Sequence, residues 1–400
     1  MKLLILASTY PRWVNDHEPG FVHELAKRLV GNFDVTVLCP HALGAAVYEE
    51  MDGVSVIRFR YGPGPLELLV NNGGIVNNLL KKPWLWAILP CFFASMAFSI
   101  FRLNRQFRPD VIHAHWIIPQ GLVIALLKML GVRLPPILLT SHGGDLYSLD
   151  RPVFRRLKRW VISNVAAFTV VSEAMRRFAL GLGVPREHVS VRSMGVDLKK
   201  RFRLGHESPG GKPNILFVGR FVEKKGVDVL LDSLPFVRKE VLGVSVTLVG
   251  YGPEEVDLKK RSCELGLAEI VRFAGAQSQE SVAGFYREAS VLAAPFVRAQ
   301  SGDADGLGLV VAEALASGCP VVTSDLPATA DLTFGMEGVL TVPEGDSQAL
   351  ASALVGVLQS RTEWKQRAAN DRVRLVRQLD WSFVADDYGR RLASLVKASV

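Results

Sequence analysis

The sequence predicts an α/β protein built from two doubly wound parallel-sheet domains. Short apolar runs alternate with longer stretches of helical periodicity, the pattern of parallel strands joined by crossover helices. The alternation occurs in two series, separated by a break at 199–213 where Gly205, Pro209, Gly210, Gly211 and Pro213 interrupt any period. The chain has 400 residues, which at about 150 residues per domain is more than one core serves.

The first run, 3–7, is too short for the apolar region of a secretion signal and reads as a buried strand. Strand-like runs follow at 35–39, 54–59, 111–114, 137–141, 167–171 and 189–193, with helical stretches at 21–29, 121–130 and 173–180 between them. The second series places strands at 215–218, 246–249, 271–274, 291–294, 321–323 and 339–342. Its helices lie at 227–241, 253–265, 281–289 and 310–316. From 347 onward the chain reads as helical throughout, restarting near Asp380-Trp381-Ser382. The expected division is a first domain at 1–205, a second at 206–376, and a C-terminal helix at 377–400 that crosses back to the first. Two such domains on one linker predict a deep cleft, and ligands of open α/β sheets bind outside the carboxyl ends of the strands.

Composition excludes several classes. Apolar residues make up 49% of the chain, and 35 Gly with 21 Pro are ordinary usage, so it is neither disordered nor collagenous. Cys39, Cys91, Cys263 and Cys319 are dispersed, without a C-x-x-C pair; this excludes a zinc cage of local spacing and suits a reducing cytoplasm. The net charge of +8 is uneven. Residues 1–211 hold 26 Lys/Arg against 15 Asp/Glu, an excess of +11, whereas 212–400 hold 21 against 24, or −3. Much of the excess sits in Arg151, Arg155, Arg156, Lys158 and Arg159 and in Lys199, Lys200, Arg201 and Arg203. Such runs are either solvated helix faces or the neighbours of an anion. Residues 83–101 carry no charge, include Trp84, Trp86, Phe92, Phe93, Phe98 and Phe101, and are flanked by Lys81-Lys82 and by Arg102, Arg105 and Arg108. The stretch nearly reaches the ~20 residues of a bilayer span. Pro90 near its middle argues against one, and a buried or membrane-apposed helix is the expectation, with tryptophans and basic residues at the lipid–water interface.

Three loops carry chemistry. Asp305-Gly306-Leu307-Gly308-Leu309 opens a helix that contains Glu313, eight positions after the first acid. Its glycines let backbone N–H groups approach an anion, and the helix N-terminus favours a phosphate. Gly219-Arg220-Phe221-Val222-Glu223-Lys224-Lys225-Gly226 follows the first strand of the second series, where Arg offers a fork and Lys a mobile point charge to a diphosphate. Gly250-Tyr251-Gly252-Pro253 follows the next strand and lets a flat base lie against the backbone. Taken singly, each is an ordinary strand–loop–helix connection with surface charges. Three at successive strand ends point to a nucleoside diphosphate.

These motifs resemble those of the retaining family 4 glycosyltransferases of GT-B fold, whose pattern is G-R-x-x-x-x-K-G, a G-x-G-P turn, and two acids eight apart leading into A-x-A-x-G-x-P-V-V. The likeness implies two Rossmann-like domains facing a central cleft. It implies that Arg220 and Lys225 hold the donor diphosphate, that Glu313 holds the ribose, and that Gly252, Gly308 and Leu309 line the donor site. Asp305, where the family has Glu, is implied to act at the transferred sugar. In the first domain, Gly20 stands in the family's acceptor loop, Glu18 to Ala26, with one glycine where many members have two. Thr140-Ser141-His142-Gly143-Gly144-Asp145 is similar to the H-G-x-D element, giving His142 a catalytic position and Asp145 an acceptor-side one. Val171-Ser172-Glu173 and Met194-Gly195-Val196-Asp197 match the V-S and N-G-V-D turns, the latter with Met for Asn. A lone His is commonly a satisfied structural group; the flanking glycines and strand-end position favour substrate contact for His142. His113 and His115 share one face of a strand and, with no third ligand, are read as structural or acceptor-side. Asp303 completes a D-x-D, but this fold neutralises diphosphate with Arg, Lys and helix ends, so no metal and no other cofactor is expected.

The resemblance implies transfer of a sugar from a nucleotide diphosphate sugar to a carbohydrate or polyprenyl-diphosphate-linked acceptor. The anomeric configuration is retained, the leaving phosphate oxygen taking the acceptor proton. Expected partners are the donor, the acceptor and an anionic membrane surface, with no nucleic acid, and the expected location is cytoplasmic, peripheral at the inner face of the membrane. Two rivals are a GT-B-fold nucleotide-sugar epimerase, whose acid/base carboxylates are not found in the first domain, and a catalytically impaired scaffold partner of a polysaccharide assembly complex. A hydride-transferring enzyme is disfavoured because Ser8-Thr9-Tyr10-Pro11 stands where G-x-G-x-x-G belongs.

Overall fold

Each apolar run forms a strand whose limits fall within two residues of those expected. The computed structural model describes residues 1–400 except 14–15, 17–19, 71–73, 206–210, 301, 328 and 399–400. The first unit holds β1 (Lys2–Leu6), β2 (Asp34–Pro40), β3 (Tyr48–Met51), β4 (Val54–Phe59), β5 (Val111–His115), β6 (Ile137–Ser141), β7 (Ala167–Val170) and β8 (Val189–Val191). They make one sheet in the order β3-β4-β2-β1-β5-β6-β7-β8. Leu3 pairs with Val35 on one side and Val111 on the other, so the centre of the sheet is apolar on both faces. Leu3, Leu4 and Ile5 are fully buried, as a strand covered by helices on both faces requires.

The second unit holds β9 (Asn214–Val218), β10 (Ser245–Val249), β11 (Val271–Gly275), β12 (Val291–Ala294), β13 (Val321–Ser324) and β14 (Val339–Val342), in the order β11-β10-β9-β12-β13-β14. All its pairings are parallel. Leu230, Leu234 and Val237 of helix Val227–Glu240 and Leu350, Leu354 and Val357 of helix Ser347–Gln359 recur at helical spacing and share one core with Ile215 and Phe217. Strand order reverses about β9, which places the ends of β9 and β12 side by side, the position where doubly wound sheets bind ligands.

Several expectations need correction. The first sheet is not wholly parallel, because β3 pairs antiparallel with β4. Its Tyr-Glu-Glu-Met sequence has no apolar run, but Asp52 (φ +50°) and Gly53 (φ +78°) make the tight turn that forces the pairing. Pro90 does not interrupt the apolar segment. It sits in the first turn of helix Leu89–Gln106, where a missing N–H costs nothing, and a preceding 3₁₀ stretch, Pro83–Ile88, makes the whole long and apolar enough to cross a membrane. Phe92, Met96, Ile100 and Leu103 are buried along one face, whereas Trp84, Trp86 and Phe98 are exposed. The C-terminal tail breaks at Ser360 as well as near Asp380, giving helices Ser347–Gln359, Arg361–Leu379 and Trp381–Lys397.

The compact units are Met1–Gly195 with Trp381–Val400, and Val196–Asp380. The boundary expected at 205/206 therefore lies inside the second unit; His206, Glu207, Ser208, Pro209 and Gly210 fall outside the described residues. Residues 198–202 belong to that unit because Arg372 donates to the carbonyls of Leu198 (2.5 Å), Phe202 (2.6 Å) and Ala316. Asp380 Oδ2 accepts from the backbone N–H of Leu198 and Lys199. In the first unit Trp381 abuts Gly195, and Tyr388 donates to the Arg192 carbonyl at 3.0 Å.

Candidate active site

In the second unit the chain leaves β9 through Gly219-Arg220 and makes one 3₁₀ turn, Glu223–Lys225. Gly226 at φ +63° then opens helix Val227–Glu240. A Cβ on Gly226 would stand 1.9 Å from the Pro295 carbonyl oxygen, so only glycine lets this loop lie against the one that follows β12. That approach brings two lysines to two acids. Lys225 Nζ is 2.5 Å from Asp305 Oδ2; Lys224 Nζ is 2.9 Å from Asp303 Oδ2 and 3.8 Å from Asp305 Oδ1. Burial pushes the Asp305 carboxyl up, but Lys225, Lys224 and Arg220 outweigh it and hold the group below its ordinary range. Arg220 Nη2 is buried with no hydrogen-bond partner among the described residues. An unpartnered donor on a fixed cation marks a place for an anion.

The loop after β10 packs directly on this one. Phe221 N–H donates to the Tyr251 carbonyl at 2.8 Å, and Gly250 N–H to the Gly275 carbonyl at 2.9 Å. A Cβ on Gly252 would meet the Phe221 carbonyl oxygen at 2.3 Å. Here the glycine serves close backbone approach, and its place in the site comes from Phe221, the neighbour of Arg220.

After β12, Gly308 (φ +75°) precedes helix Leu309–Ala316. Phe296 packs at Gly308, and Lys225 Nζ stands 4.6 Å from the Phe296 ring centroid, so aromatic and cation meet at the helix start. Glu313 lies in the second turn. Its Oε2 accepts from the Tyr286 hydroxyl at 2.9 Å. Burial pushes its carboxyl up to about 7, against the lowering pull of Tyr286, Arg201 and Lys225.

Arg220, Lys225, Asp305 and Gly308 thus come together, with Gly252 attached through Phe221 and Glu313 held by Tyr286. Three cations, Arg220, Lys224 and Lys225, face two acids, leaving one positive charge in excess. Asp303 and Asp305 are each matched to a lysine, and among the described residues no group of three or more His, Cys, Asp or Glu is placed to hold a metal ion. Lys224 as the clamp on Asp303 and Tyr286 as the support of Glu313 were not singled out by sequence. The doubled lysine was a visible signal for the first. The second has none, because Tyr286 sits 27 positions away.

In the first unit, His142 follows β6 and is half-buried. Its ring packs against Phe21 (centroids 4.8 Å), Trp116 (5.1 Å) and His115 (5.2 Å, stacked), and its Nε2 is 2.9 Å from His115 Nδ1. Burial lowers its pKa to about 3, so the ring is neutral. Asp145 turns inward: Oδ2 accepts from Ile117 N–H (2.6 Å), and Oδ1 from the Ser141 hydroxyl (2.8 Å) and His142 N–H (3.3 Å). It ties the loop after β5 to the loop after β6. Gly20 caps helix Phe21–Leu29 at φ −90°, and among the described residues the nearest neighbour to an added Cβ is 3.7 Å away, so neither its backbone angle nor those neighbours demand glycine. Glu18 and Pro19 of the expected acceptor loop lie outside the described residues. Sequence reading also missed a linked trio, Tyr10 hydroxyl to His23 Nδ1 (2.6 Å) and His23 Nε2 to Asp52 Oδ2 (2.9 Å), which joins the loop after β1 to the β3–β4 turn.

Residues 212–360 match a family model described as glycosyl transferases group 1, and residues 21–195 match a glycosyl transferase 4-like domain. The phosphatidyl-myo-inositol mannosyltransferase of Mycobacterium leprae is 34% identical over 284 residues, which is 70% of this chain and 72% of that protein. Among solved structures, sucrose-phosphate synthase from Thermosynechococcus elongatus superposes with a TM-score of 0.79 at 20% identity, covering 100% of both chains. Anabaena Alr3699/HepE in complex with UDP-glucose does so with a TM-score of 0.72 at 16% identity, covering 98% of this chain and 100% of that one. The fold is that of the GT-B enzymes, two Rossmann-like α/β units.

Proposed function

Because this chain belongs to the group 1, family 4 glycosyltransferases, we propose that it moves a sugar from a nucleotide diphosphate sugar to a carbohydrate or lipid-linked acceptor with retention of anomeric configuration. Its role is in polysaccharide, lipopolysaccharide or glycolipid synthesis. The observation that carries this reading is the convergence of Arg220, Lys224, Lys225 and the Gly308–Leu309 backbone on one spot beyond β9 and β12.

As the glycosidic bond breaks, the leaving diphosphate gains negative charge. Cations already in position stabilise that charge where it develops, without reorganising at the moment of reaction. The acceptor hydroxyl attacks the anomeric carbon from the face the diphosphate leaves, and its proton passes to the departing phosphate oxygen. Atoms and charge then balance with no enzyme nucleophile. Asp305 supports this: with one oxygen on Lys225 and the other facing Lys224, it is a poor candidate for attack on carbon. No metal is assigned a part, the lysines and arginine filling that role.

Two further elements belong to the proposal. A lipid-linked acceptor is favoured by the M. leprae relative, whose name states a phosphatidyl-myo-inositol substrate, and by Trp84, Trp86 and Phe98, exposed beside Lys81, Lys82, Arg102 and Arg105. The protein is accordingly placed at the cytoplasmic face of an anionic membrane, through its first unit. The primary test is thermal shift with a panel of UDP-, GDP- and ADP-sugars. A donor at about 100 times its Kd adds roughly 2.7 kcal/mol of stability, a rise of several degrees. Arg220→Ala with Lys225→Ala should abolish the rise; a doubly substituted protein that still responds would remove the diphosphate assignment.

A further inference from the structure

His113, His115 and His142 line one polar seam within the first unit, and the mechanism above uses none of them. His113 and His115 stand on β5 with ring centroids 4.1 Å apart, and His115 stacks on His142 with an interplanar angle of 14°. His113 and His115 are fully buried. Burial lowers all three pKa values, those of His113 and His142 to about 3. All three rings are therefore neutral at physiological pH, each with one N–H and one lone pair.

The hydrogen-bond pattern then selects among tautomers. His115 Nδ1 and His142 Nε2 lie 2.9 Å apart, so one donates and the other accepts. His115 Nε2 is buried with no partner among the described residues. Were His142 the donor, His115 would carry its own proton on Nε2, a buried N–H without an acceptor. Orphaned buried N–H groups are the rarer and costlier defect. The opposite arrangement leaves only an unpaired lone pair.

We propose that His115 is a positioning residue that donates from Nδ1 to His142 Nε2, locking His142 as the Nδ1–H tautomer so that the ring acts as a hydrogen-bond donor and not as a base. His113 follows the same logic: its Nε2 is 2.8 Å from Thr140 Oγ1, and Thr140 is in turn 2.7 Å from Thr169 Oγ1, which donates to the Leu139 carbonyl. The seam thus runs two ways from β5: His113 hands its Nε2–H to Thr140 and on toward the Leu139 carbonyl, whereas His115 hands its Nδ1–H to His142 Nε2, which leaves the His142 Nδ1–H free to donate. The chemical partner that suits an outward Nδ1–H is an oxygen of a sugar hydroxyl or phosphate. This last step rests on the glycosyl-transfer reading; the tautomer does not.

The test is long-range ¹H–¹⁵N correlation on the full-length protein labelled at histidine, with His142→Gln used to assign its ring. The expected result is a protonated Nδ1 and an acceptor-type Nε2 for His142. His115→Phe keeps a stacked ring but removes the donor, and should shift His142 to the Nε2–H form or to a mixture. His115→Asn, whose amide N–H reaches the place of Nδ1, should restore Nδ1–H. With a donor found in the thermal-shift panel, His115→Phe should lower kcat on the order of tenfold or more, leave the donor-induced thermal shift intact, and be rescued by His115→Asn. An Nε2–H His142 in the unsubstituted protein overturns the proposal, as does a tautomer unmoved by His115→Phe. If His115→Phe does not fold, the unsubstituted spectrum alone decides. A tautomer as stated, together with unchanged kcat in both His115→Phe and His142→Gln, upholds the inference and removes His142 from the reacting centre.

Discussion

Lys225 Nζ lies 2.5 Å from Asp305 Oδ2, an ion pair that joins the loop after β9 to the loop after β12. Both side chains are mostly buried, at 15% and 10% exposure. Removing one partner of such a pair leaves an uncompensated charge and costs roughly 3–5 kcal/mol; here Lys224 stays nearby for Asp305. Lys225→Ala is therefore expected to cost less stability than Asp305→Ala, which leaves Lys225 unpaired beside Lys224 and Arg220 with Asp303 as the one remaining acid on Lys224. Urea unfolding of both variants checks this, and equal losses would mean that Lys224 does not share the acid.

The same acid sets an acid limit on stability. Its folded pKa lies below the ordinary 3.8, so its contribution is fully present above the unfolded value and is lost as pH falls through the folded one. Asp305→Asn should flatten the stability profile below about pH 4, measured by denaturant midpoints across that range.

Glu313 has the opposite sign. Its carboxyl is raised from 4.5 to about 7, so the stability it contributes is fully present below the unfolded value and is lost as pH rises through about 7. At 1.36 kcal/mol per unit the loss is about 3 kcal/mol. Glu313→Gln, which keeps a group able to accept from Tyr286, should be more stable than the unsubstituted protein at pH 8 and no more stable at pH 4. Thermal unfolding at both pH values decides the matter.

Gly252→Ala should be disruptive for purely steric reasons. The new methyl group meets the Phe221 carbonyl oxygen at 2.3 Å and the Phe221 nitrogen at 2.6 Å, backbone atoms held by hydrogen bonds, the nitrogen to the Tyr251 carbonyl and the oxygen from Glu254 N–H. An overpacking cost of about 1–3 kcal/mol together with loss of the donor-induced thermal shift is expected. Gly20→Ala, where the added carbon finds 3.7 Å of room, should leave the melting temperature within a degree or so.

Trp84 and Trp86 are 47% and 60% exposed, so Trp84→Ala with Trp86→Ala should leave folding nearly unchanged. Binding to anionic vesicles, measured by co-sedimentation, should fall about tenfold or more and should weaken with salt in the unsubstituted protein. Undiminished vesicle binding by the double variant would exclude this face as the attachment site.

Much of the fold could be read from residue order because a parallel strand covered on both faces must be a continuous apolar run. Residues such as Leu3–Leu4–Ile5 and Val321–Val322 announce themselves. β3 could not be read that way, since an edge strand needs no apolar run and is specified by the Asp52-Gly53 turn. Pro90 misled for a related reason: its effect depends on whether it falls in the first turn of a helix or its middle, and the preceding 3₁₀ stretch decided that.

The site divides in the same way. Arg220, Lys225, Asp305, Gly252 and Glu313 stood out by sequence because chemistry at a strand end demands those residue types at short, local spacings. Which of them touch is a matter of packing between segments 27 to 80 residues apart in the chain: that Lys225 takes Asp305, that Lys224 takes Asp303, that Tyr286 rather than a cation holds Glu313. Residue order determined the strands, the glycine turns and the kinds of charge beside them, since these follow from local periodicity and backbone sterics. Only the packed sheets decided the pairings, the protonation of Glu313 and the hand-off from His115 to His142, because Coulomb and hydrogen-bond energies depend on distances and burial that no local pattern encodes.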